Sequence, residues 1–412
     1  MTVENHDASD GPADPSRRRD LPAAVWALVV ARAVNRLGAF TLPFLAVILH
    51  DELSASLSTA GLVVAVFGVA TIPSRLAGGE LADRIGPVMT ITLGLVGCAG
   101  AQLWVAGSRS LVSVMGAVVL LGLAFELYEP PSQALVADLT PERDRAAAYG
   151  LLSAALAGAG AGAGLLATWL GRLDLRWLFV ADAVSCLAAA VLVLTVVRPH
   201  LASASRGSPE RGDPDAGVGV GPWRDPRLRL LLAAGTAFAI TYLTLVTALP
   251  LTLGSRGIAP VRAGLLLTTS ALTVVAGQPL LHWAPLQRPA RALTAGYVAL
   301  AAGLLATGTS TTLVGFVAAT VLWSVGDLLL LGHAWTLVAG IAPAGARGRY
   351  LAAYGMSWGV ASVVAPILAT QLLAARGPLL LWGALAAVAL ALAAAQPALV
   401  TRCHSPGRPA RG

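Results

Sequence analysis

The sequence predicts an all-α membrane protein whose twelve transmembrane helices form two pseudo-symmetric bundles of six. Composition, the recurrence of long apolar runs and a single polar interruption at the centre of the chain carry that prediction. Of 412 residues, 56% are hydrophobic and 44 are Gly, so roughly two-thirds of the chain is apolar or Gly, against about half in soluble proteins. Charged residues make up only 12%. A soluble core of this length could not cover so much apolar surface, which excludes a soluble enzyme and a disordered chain. The net charge of +7 is spread over the connections between apolar runs rather than gathered in one patch, which excludes a nucleic-acid binder.

A window of about 19 residues places the first six spans at 21–49, 57–78, 88–107, 111–138, 146–170 and 176–197. Each is long enough to cross ~30 Å of hydrocarbon. They follow a polar tail, 1–20, in which Ser16-Arg17-Arg18-Arg19-Asp20 stands before an apolar stretch. That stretch carries Arg32 and Arg36 and no convincing cleavage site, so the tail reads as a cytoplasmic start rather than a twin-arginine export signal. From 198 to 226 the chain turns polar and rich in Pro, Gly and Ser, with Arg206, Glu210, Arg211, Asp213 and Asp215 at its centre. This is a flexible linker by composition. Six more spans follow at 227–253, 260–284, 290–308, 311–340, 350–375 and 378–400, then a tail at 401–412. The expected units are an N-terminal bundle 21–197, a cytoplasmic linker 198–226 and a C-terminal bundle 227–400.

Every basic residue is Arg; with the amino terminus inside, twenty of them fall in cytoplasmic segments and six outside. The positive-inside rule then puts both termini and the linker in the cytoplasm. The halves also resemble each other. Leu135-Val136-Ala137 with Pro141, Arg143, Arg145, Tyr149 and Gly150 recurs, with small gaps, as Leu337-Val338-Ala339 with Pro343, Arg347, Arg349, Tyr354 and Gly355. Two parallel six-helix repeats are the arrangement of rocker-type secondary transporters.

Between spans 2 and 3 stands Gly79-Glu80-Leu81-Ala82-Asp83-Arg84-Ile85-Gly86. In spacing and position this resembles the G-x-x-x-D-R-x-G pattern of the major facilitator superfamily. The resemblance implies that Asp83 holds the cytoplasmic end of span 11 and that Arg84 pairs with Asp138 at the end of span 4. Together with Gly79 and Gly86 they would form a latch on the outward-facing state. Pro87 and Val88 stand where the family carries basic residues, which weakens such a latch. Arg32-x-x-Asn35-Arg36-x-Gly38, Glu129-Pro130-Pro131-Ser132 and Arg347-Gly348-Arg349-Tyr350 are similar to segments of bacterial twelve-span drug and metabolite exporters. Those exporters carry G-P-x-x-G-G in span 5, whereas Ala161 stands here where Pro would fall among Gly158, Gly160, Gly162 and Gly164. The pairs 158/162 and 160/164 suit close helix packing, and a gating role stays open beside it.

Ionisable groups at bilayer depth cost at least ~2.5–3.5 kcal/mol each and call for a partner or a task. At ~1.5 Å per residue, Arg32 lies ~16 Å, Arg36 ~22 Å, Glu126 ~18 Å, Glu129 ~13 Å and Asp327 ~20 Å from the assumed cytoplasmic ends. The family resemblance puts spans 1, 4, 7 and 10 around the central cavity, and these charges sit on spans 1, 4 and 10. Arg32, Asn35 and Arg36 share one helix face, as do Glu126 and Glu129. Arg-carboxylate pairing across the cavity is expected, either as a structural clamp or as part of transport. Two Arg against three acids leave one carboxylate in excess, and that one is the natural proton carrier. Asp327 is the first candidate, Glu126 the second, with Glu129 completing the set. Asp182, ~9 Å from the outer end, reads as a helix-packing or solvent-accessible acid. Thr241, Tyr242, His333, Trp335 and Trp358 are cavity candidates for ligand contact, although packing or an interfacial anchor is the first reading for each.

No G-x-x-x-x-G-K-[ST] occurs, and the chain has no Lys to complete one. Cys98, Cys186 and Cys403 and the six His are scattered, so neither a disulfide framework nor a metal site is expected. The expected function is proton-coupled export of small organic molecules, drugs or secondary metabolites, by alternating access. No cofactor is expected beyond the proton gradient, no nucleic-acid partner, and the bilayer of a bacterial plasma membrane is the setting; a monomer is what the resemblance implies. One alternative is transport of an anionic metabolite held by Arg32 and Arg36. A different class is a non-transporting sensor or a polytopic membrane enzyme, for which no clustered catalytic set is visible.

Overall fold

The computed structural model describes residues 21–38, 41–140, 145–199, 222–343 and 347–404. The tail 1–20, the centre of the linker and Arg143 lie outside them. Among the described residues the secondary structure is helical, without a strand.

The first expected span is two helices, α1 (Ala23–Leu37) and α2 (Thr41–Val47), the latter running into a π-turn at Ile48–Glu52. Span 2 is α3 (Leu57–Ile85), started by the Ser56 hydroxyl accepting from the Thr59 amide at 3.1 Å. It continues seven residues past the expected end, which takes Arg75 well inside a helix and carries the Asp83-Arg84 pair on its last turn. Span 3 is α4 (Pro87–Gly107), with Pro at the first helical position, where its missing N–H is no loss.

Span 4 is broken into α5 (Leu111–Phe125) and α6 (Glu129–Asp138). Pro130 and Pro131 cannot donate to the carbonyls of Glu126 and Leu127, so the helix stops at Phe125 and restarts three residues on. The break sets Glu126 and Glu129 on separate helical segments. At the break the Glu126 amide donates to the Ser74 hydroxyl of α3 at 3.2 Å.

The first half closes with α7 (Arg145–Leu170) and α8 (Arg176–Leu192). The second begins with α9 (Pro226–Ser255), capped by Asp225, whose carboxylate accepts from the Arg227 amide at 2.8 Å and from the Tyr350 hydroxyl at 3.0 Å. Span 8 is shorter than expected: α10 (Ala263–Ala276) ends before Gly277 and Pro279, and 3-10 turns carry the chain on to Gln287. Then come α11 (Pro289–Thr309) and α12 (Leu313–Ile341). Spans 11 and 12 run on as α13 (Arg347–His404), bent at Gly377, whose φ of 73° and ψ of −175° suit glycine alone, with Pro378 following. Among the described residues, eight helices are by themselves long and apolar enough to cross a membrane, and the broken spans account for the shorter pieces.

The halves meet along two antiparallel seams, α3 with α13 and α7 with α10, and again where α2 meets α9. On the first seam Gly61 faces Thr370 and Gly68 faces Ser362, and the Ser58 hydroxyl donates to Gln371 at 3.1 Å. On the second, Gly164 and Gly264 abut so closely that a Cβ on either would collide with the other's carbonyl. The threonines one turn on reach across: Thr268 donates to the Ala161 carbonyl at 2.8 Å and Thr168 to the Val261 carbonyl at 3.3 Å. These contacts concentrate toward the ends of the helices away from both termini. The same end is fastened within the first half by Arg176, which pairs with Glu52 at 2.7 Å and donates to the carbonyls of Ala106 and Ser108. Of the span-5 glycines, Gly164 and Gly162, the latter against Leu37, sit in tight contacts; Gly158 faces open space and is no packing contact.

Candidate functional site

A cavity of about 400 Å³ lies between the halves, within the usual range for small-molecule sites. Its walls are mainly apolar, with Phe44, Phe67, Phe125, Leu121, Leu156, Val246 and Leu331 among them. Asn35 and Arg36 of α1, Gln102 of α4, Asp182 of α8, Tyr242 of α9 and Asp327 of α12 supply its polar groups.

The charges expected from sequence divide into two kinds. Arg32 pairs with Glu129, joining α1 to α6, and its guanidinium lies 5.3 Å from the centre of the Tyr128 ring. Glu126 does not face either Arg of α1; Arg75 of α3 holds it through two parallel bonds of 3.0 and 3.2 Å. Arg75 also donates to the Gly355 carbonyl of α13 at 3.5 Å, crossing from one half to the other. A bidentate fork of this kind is the strong form of the Arg-carboxylate contact. These pairs lock helices together and leave Glu126 and Glu129 compensated.

Arg36 and Asp327 are different. Among the described residues Arg36 makes no ion pair, and its side chain runs past Gly160. Asp327 is 3% exposed, and its Oδ1 has no hydrogen-bond partner. They stand on walls supplied by opposite halves of the same cavity without touching. Asp182, read from sequence as a packing or solvent-accessible acid, is buried and lines this cavity too. Gln102 donates to it at 2.5 Å and the Cys186 thiol at 3.7 Å, while Asn35 donates to the Cys186 sulfur at 3.2 Å. With Arg36 against Asp182 and Asp327, the cavity again holds one more acid than base. Sequence reasoning missed Arg75, counted as a loop charge, although it lay inside its own expected span. It also missed Gln102, for which nothing in the sequence marks a face.

The aromatic and hydroxyl candidates mostly turn elsewhere. Tyr242 alone reaches the cavity. Trp358 packs on Tyr242 at 5.5 Å and on Phe238 at 6.3 Å, edge to face, behind the wall. Thr241 donates to the Ala237 carbonyl and His333 bonds through Nδ1 to the Leu329 carbonyl, both one turn back on their own helices. Trp335 is exposed at 37% and stacks edge-on with Tyr354 at 5.1 Å.

The expected latch is not engaged. Arg84 pairs with Glu80 one turn back on α3, both well exposed, and not with Asp138, which is itself exposed. Asp83 is exposed as well, while Gly86 takes a φ of 86° between α3 and α4 and Gly79 lies within α3. Disengagement at this end is the counterpart of tight closure at the other, since two rigid halves that rock together at one end separate at the opposite one.

Comparison with known proteins agrees with this geometry. Peptide transporter POT in complex with sulfate matches the fold with a TM-score of 0.76 at 15% identity, over 93% of this chain and 95% of that one. A POT family transporter in complex with a thioalcohol-conjugated peptide matches with a TM-score of 0.75 at 12% identity, over 94% and 100%. In sequence, the MFS-type transporter YqjV of Bacillus subtilis is 24% identical over 82% of this chain and 84% of its own length. Quinolone resistance protein NorA of Staphylococcus aureus is 30% identical over a shorter stretch, 27% of this chain and 29% of its own. The family model described as Major Facilitator Superfamily matches residues 28–366. With helical halves around one central cavity and a family match over most of its length, the chain belongs to the Major Facilitator Superfamily of transporters.

Proposed function

We propose that the protein exports small organic molecules in exchange for protons, working by alternating access in a bacterial plasma membrane with both termini in the cytoplasm. The observation that carries this reading is the buried carboxylate of Asp327, unpartnered at Oδ1, in the wall of a mainly apolar cavity between the halves. An ionised acid in such a place is costly, and an acid that is neutral in one conformation and charged in another ties proton movement to the change of state. The paired acids Glu126 and Glu129 have no such freedom. The apolar walls suit an amphipathic organic molecule, and similarity to a quinolone resistance protein over part of the chain favours export. With the termini cytoplasmic, closure at the opposite end makes this the inward-facing state. Function as a monomer, without a cofactor, belongs to the same reading.

A second reading rests on Arg36. An unpaired guanidinium in the cavity would suit an anionic metabolite, although Arg32 is committed to Glu129 and leaves Arg36 to bind it alone.

The test is transport by purified protein in proteoliposomes under an imposed pH gradient, with candidate substrates and with Asp327→Asn beside the wild type. Substrate-dependent proton movement that the substitution abolishes supports the exporter. Transport that continues with proton movement unchanged in Asp327→Asn overturns it. Loss of transport of anionic substrates alone in Arg36→Gln would favour the second reading.

A further inference from the structure

Thr320, Trp323, Ser324 and Asp327 stand at i, i+3, i+4 and i+7 of α12 and therefore on one face of the helix. All four are at most 3% exposed, and Thr320 Oγ1, Trp323 Nε1, Ser324 Oγ and Asp327 Oδ1 each lack a hydrogen-bond partner in the protein. No other helix among the described residues concentrates such atoms in this way. Other buried threonines find carbonyls: Thr92, Thr307 and Thr370 each donate to the one four residues back on their own helix at 2.8 Å, and Thr244 and Thr268 reach Ala365 and Ala161 on neighbouring helices. Thr320 and Ser324 depart from that habit, and they do so on the face that ends at Asp327.

Neighbours on a helix face are ~5–6 Å apart at Cβ. That is too far for short side chains to bond each other and suits one bridging water with bonds of ~2.8 Å to each. Buried polar groups are ordinarily satisfied by protein or by ordered water. The donor and acceptor types also form a workable sequence: the two hydroxyls can accept and donate, the indole donates only, and the carboxylate accepts. Trp323 and Asp327 open onto the cavity, where Tyr242 and Ser270 stand on the walls from α9 and α10, and Arg36 and Asp182 are the charged groups of the first half. Thr320 lies two turns from Asp327, toward the Leu313 end of α12, the end at which the halves are closed on each other.

We infer that this face of α12 holds a short file of water molecules that delivers protons to Asp327 from the closed end of the molecule, apart from the route taken by the substrate. Each oxygen in the file accepts one proton and passes on another. One O–H bond forms as the next breaks, and the last proton bonds to the Asp327 carboxylate. The inference rests on the reading of Asp327 as the proton carrier.

Two measurements test it. Radiolytic hydroxyl-radical labelling, read by mass spectrometry, oxidises buried side chains where a bound water adjoins them. Trp382 is the internal control, since it is fully buried but its indole donates to the Thr252 hydroxyl at 3.2 Å. Trp323 should be oxidised several-fold faster than Trp382; equal rates mean a dry face and overturn the inference. In proteoliposomes, Thr320→Val combined with Ser324→Ala should slow efflux of ethidium driven by a pH gradient several-fold, while gradient-free counterflow of ethidium stays at the wild-type rate. Thr320→Ser should keep the driven rate. If Asp327→Asn abolishes driven transport and the double variant leaves it intact, the relay fails and the proton-carrier reading stands. If Asp327→Asn keeps driven transport, both fail, and the labelling still reports whether the face is wet.

Discussion

Arg75 grips Glu126 through two parallel bonds, Nη2 to Oε1 at 3.0 Å and Nε to Oε2 at 3.2 Å, and so ties α3 to the break between α5 and α6. Hydrogen bonds to charged partners are each worth about 1.5–3 kcal/mol, and Arg75 is partly exposed, which favours the lower end. Arg75→Ala should therefore lower the thermal midpoint of the purified protein by an amount equivalent to about 1.5 kcal/mol. Glu126→Gln, whose amide oxygen still accepts one bond, should lower it less. Equal losses from both would show that the second bond contributes nothing.

Arg32 and Arg36 sit four residues apart on one helix, yet among the described residues Arg32 makes an ion pair and Arg36 makes none. Arg32→Gln breaks a partly buried pair and should cost about 3 kcal/mol, the lower end for removing one partner of a buried ion pair, seen as a drop in thermal midpoint. Arg36→Gln should leave the midpoint within a degree or so and change the apparent KM for transported substrate. A large stability loss at Arg36 would contradict its unpaired state.

Adding a methyl group at the α7–α10 crossing should bias the conformational equilibrium. Gly164→Ala puts a Cβ against the Gly264 carbonyl and Thr268, and overpacking of this kind costs about 1–3 kcal/mol. Because the clash exists only while the seam is closed, the open alternative gains. Cys98 and Cys186 line the cavity as free thiols and report on access. In a Cys403→Ser background, a membrane-impermeant maleimide supplied from the closed side should label them several-fold faster in Gly164→Ala than in the parent. An unchanged rate would mean that the crossing is not what seals that end.

Gly377 sits where the backbone turns between the last two spans at φ 73°, ψ −175°, a region that side chains avoid at a cost of about 1–3 kcal/mol. Gly377→Ala should lower stability by that amount without altering substrate KM. A neutral result would indicate that α13 can straighten through this point.

The spans and their punctuation were legible because hydrophobic length, Pro and Gly act locally. Gly377-Pro378 separates spans 11 and 12 at the expected place, whereas span 4, expected as one run over 111–138, breaks just before Pro130-Pro131. Charge pairing was legible only in part. Arg-carboxylate pairing between spans 1 and 4 was expected without its members, and Arg32 with Glu129 realises it; Arg75, inside its own expected span near the cytoplasmic end, was counted with the loop charges. Arg84 turns to Glu80 here rather than to Asp138, and a single sequence does not say which state a structure will show. Asp182 was placed by its depth from a helix end, a measure blind to the neighbouring helix that brings Gln102 and turns the acid into the cavity.

The α7–α10 seam is made of glycines and two reciprocal threonine hydroxyls, so no net charge crosses it when it opens. On the α3–α13 seam the guanidinium of Arg75, which bridges to Gly355, travels with its own carboxylate partner, Glu126. Opening and closing the halves should therefore be nearly silent to the transmembrane potential, which acts on a charge in proportion to its displacement through the field. Any voltage dependence of the transport cycle is left to the groups inside the cavity, Arg36, Asp182 and Asp327, together with whatever charge the passenger carries. Current recordings would then count the cargo and its protons rather than the motion of the protein.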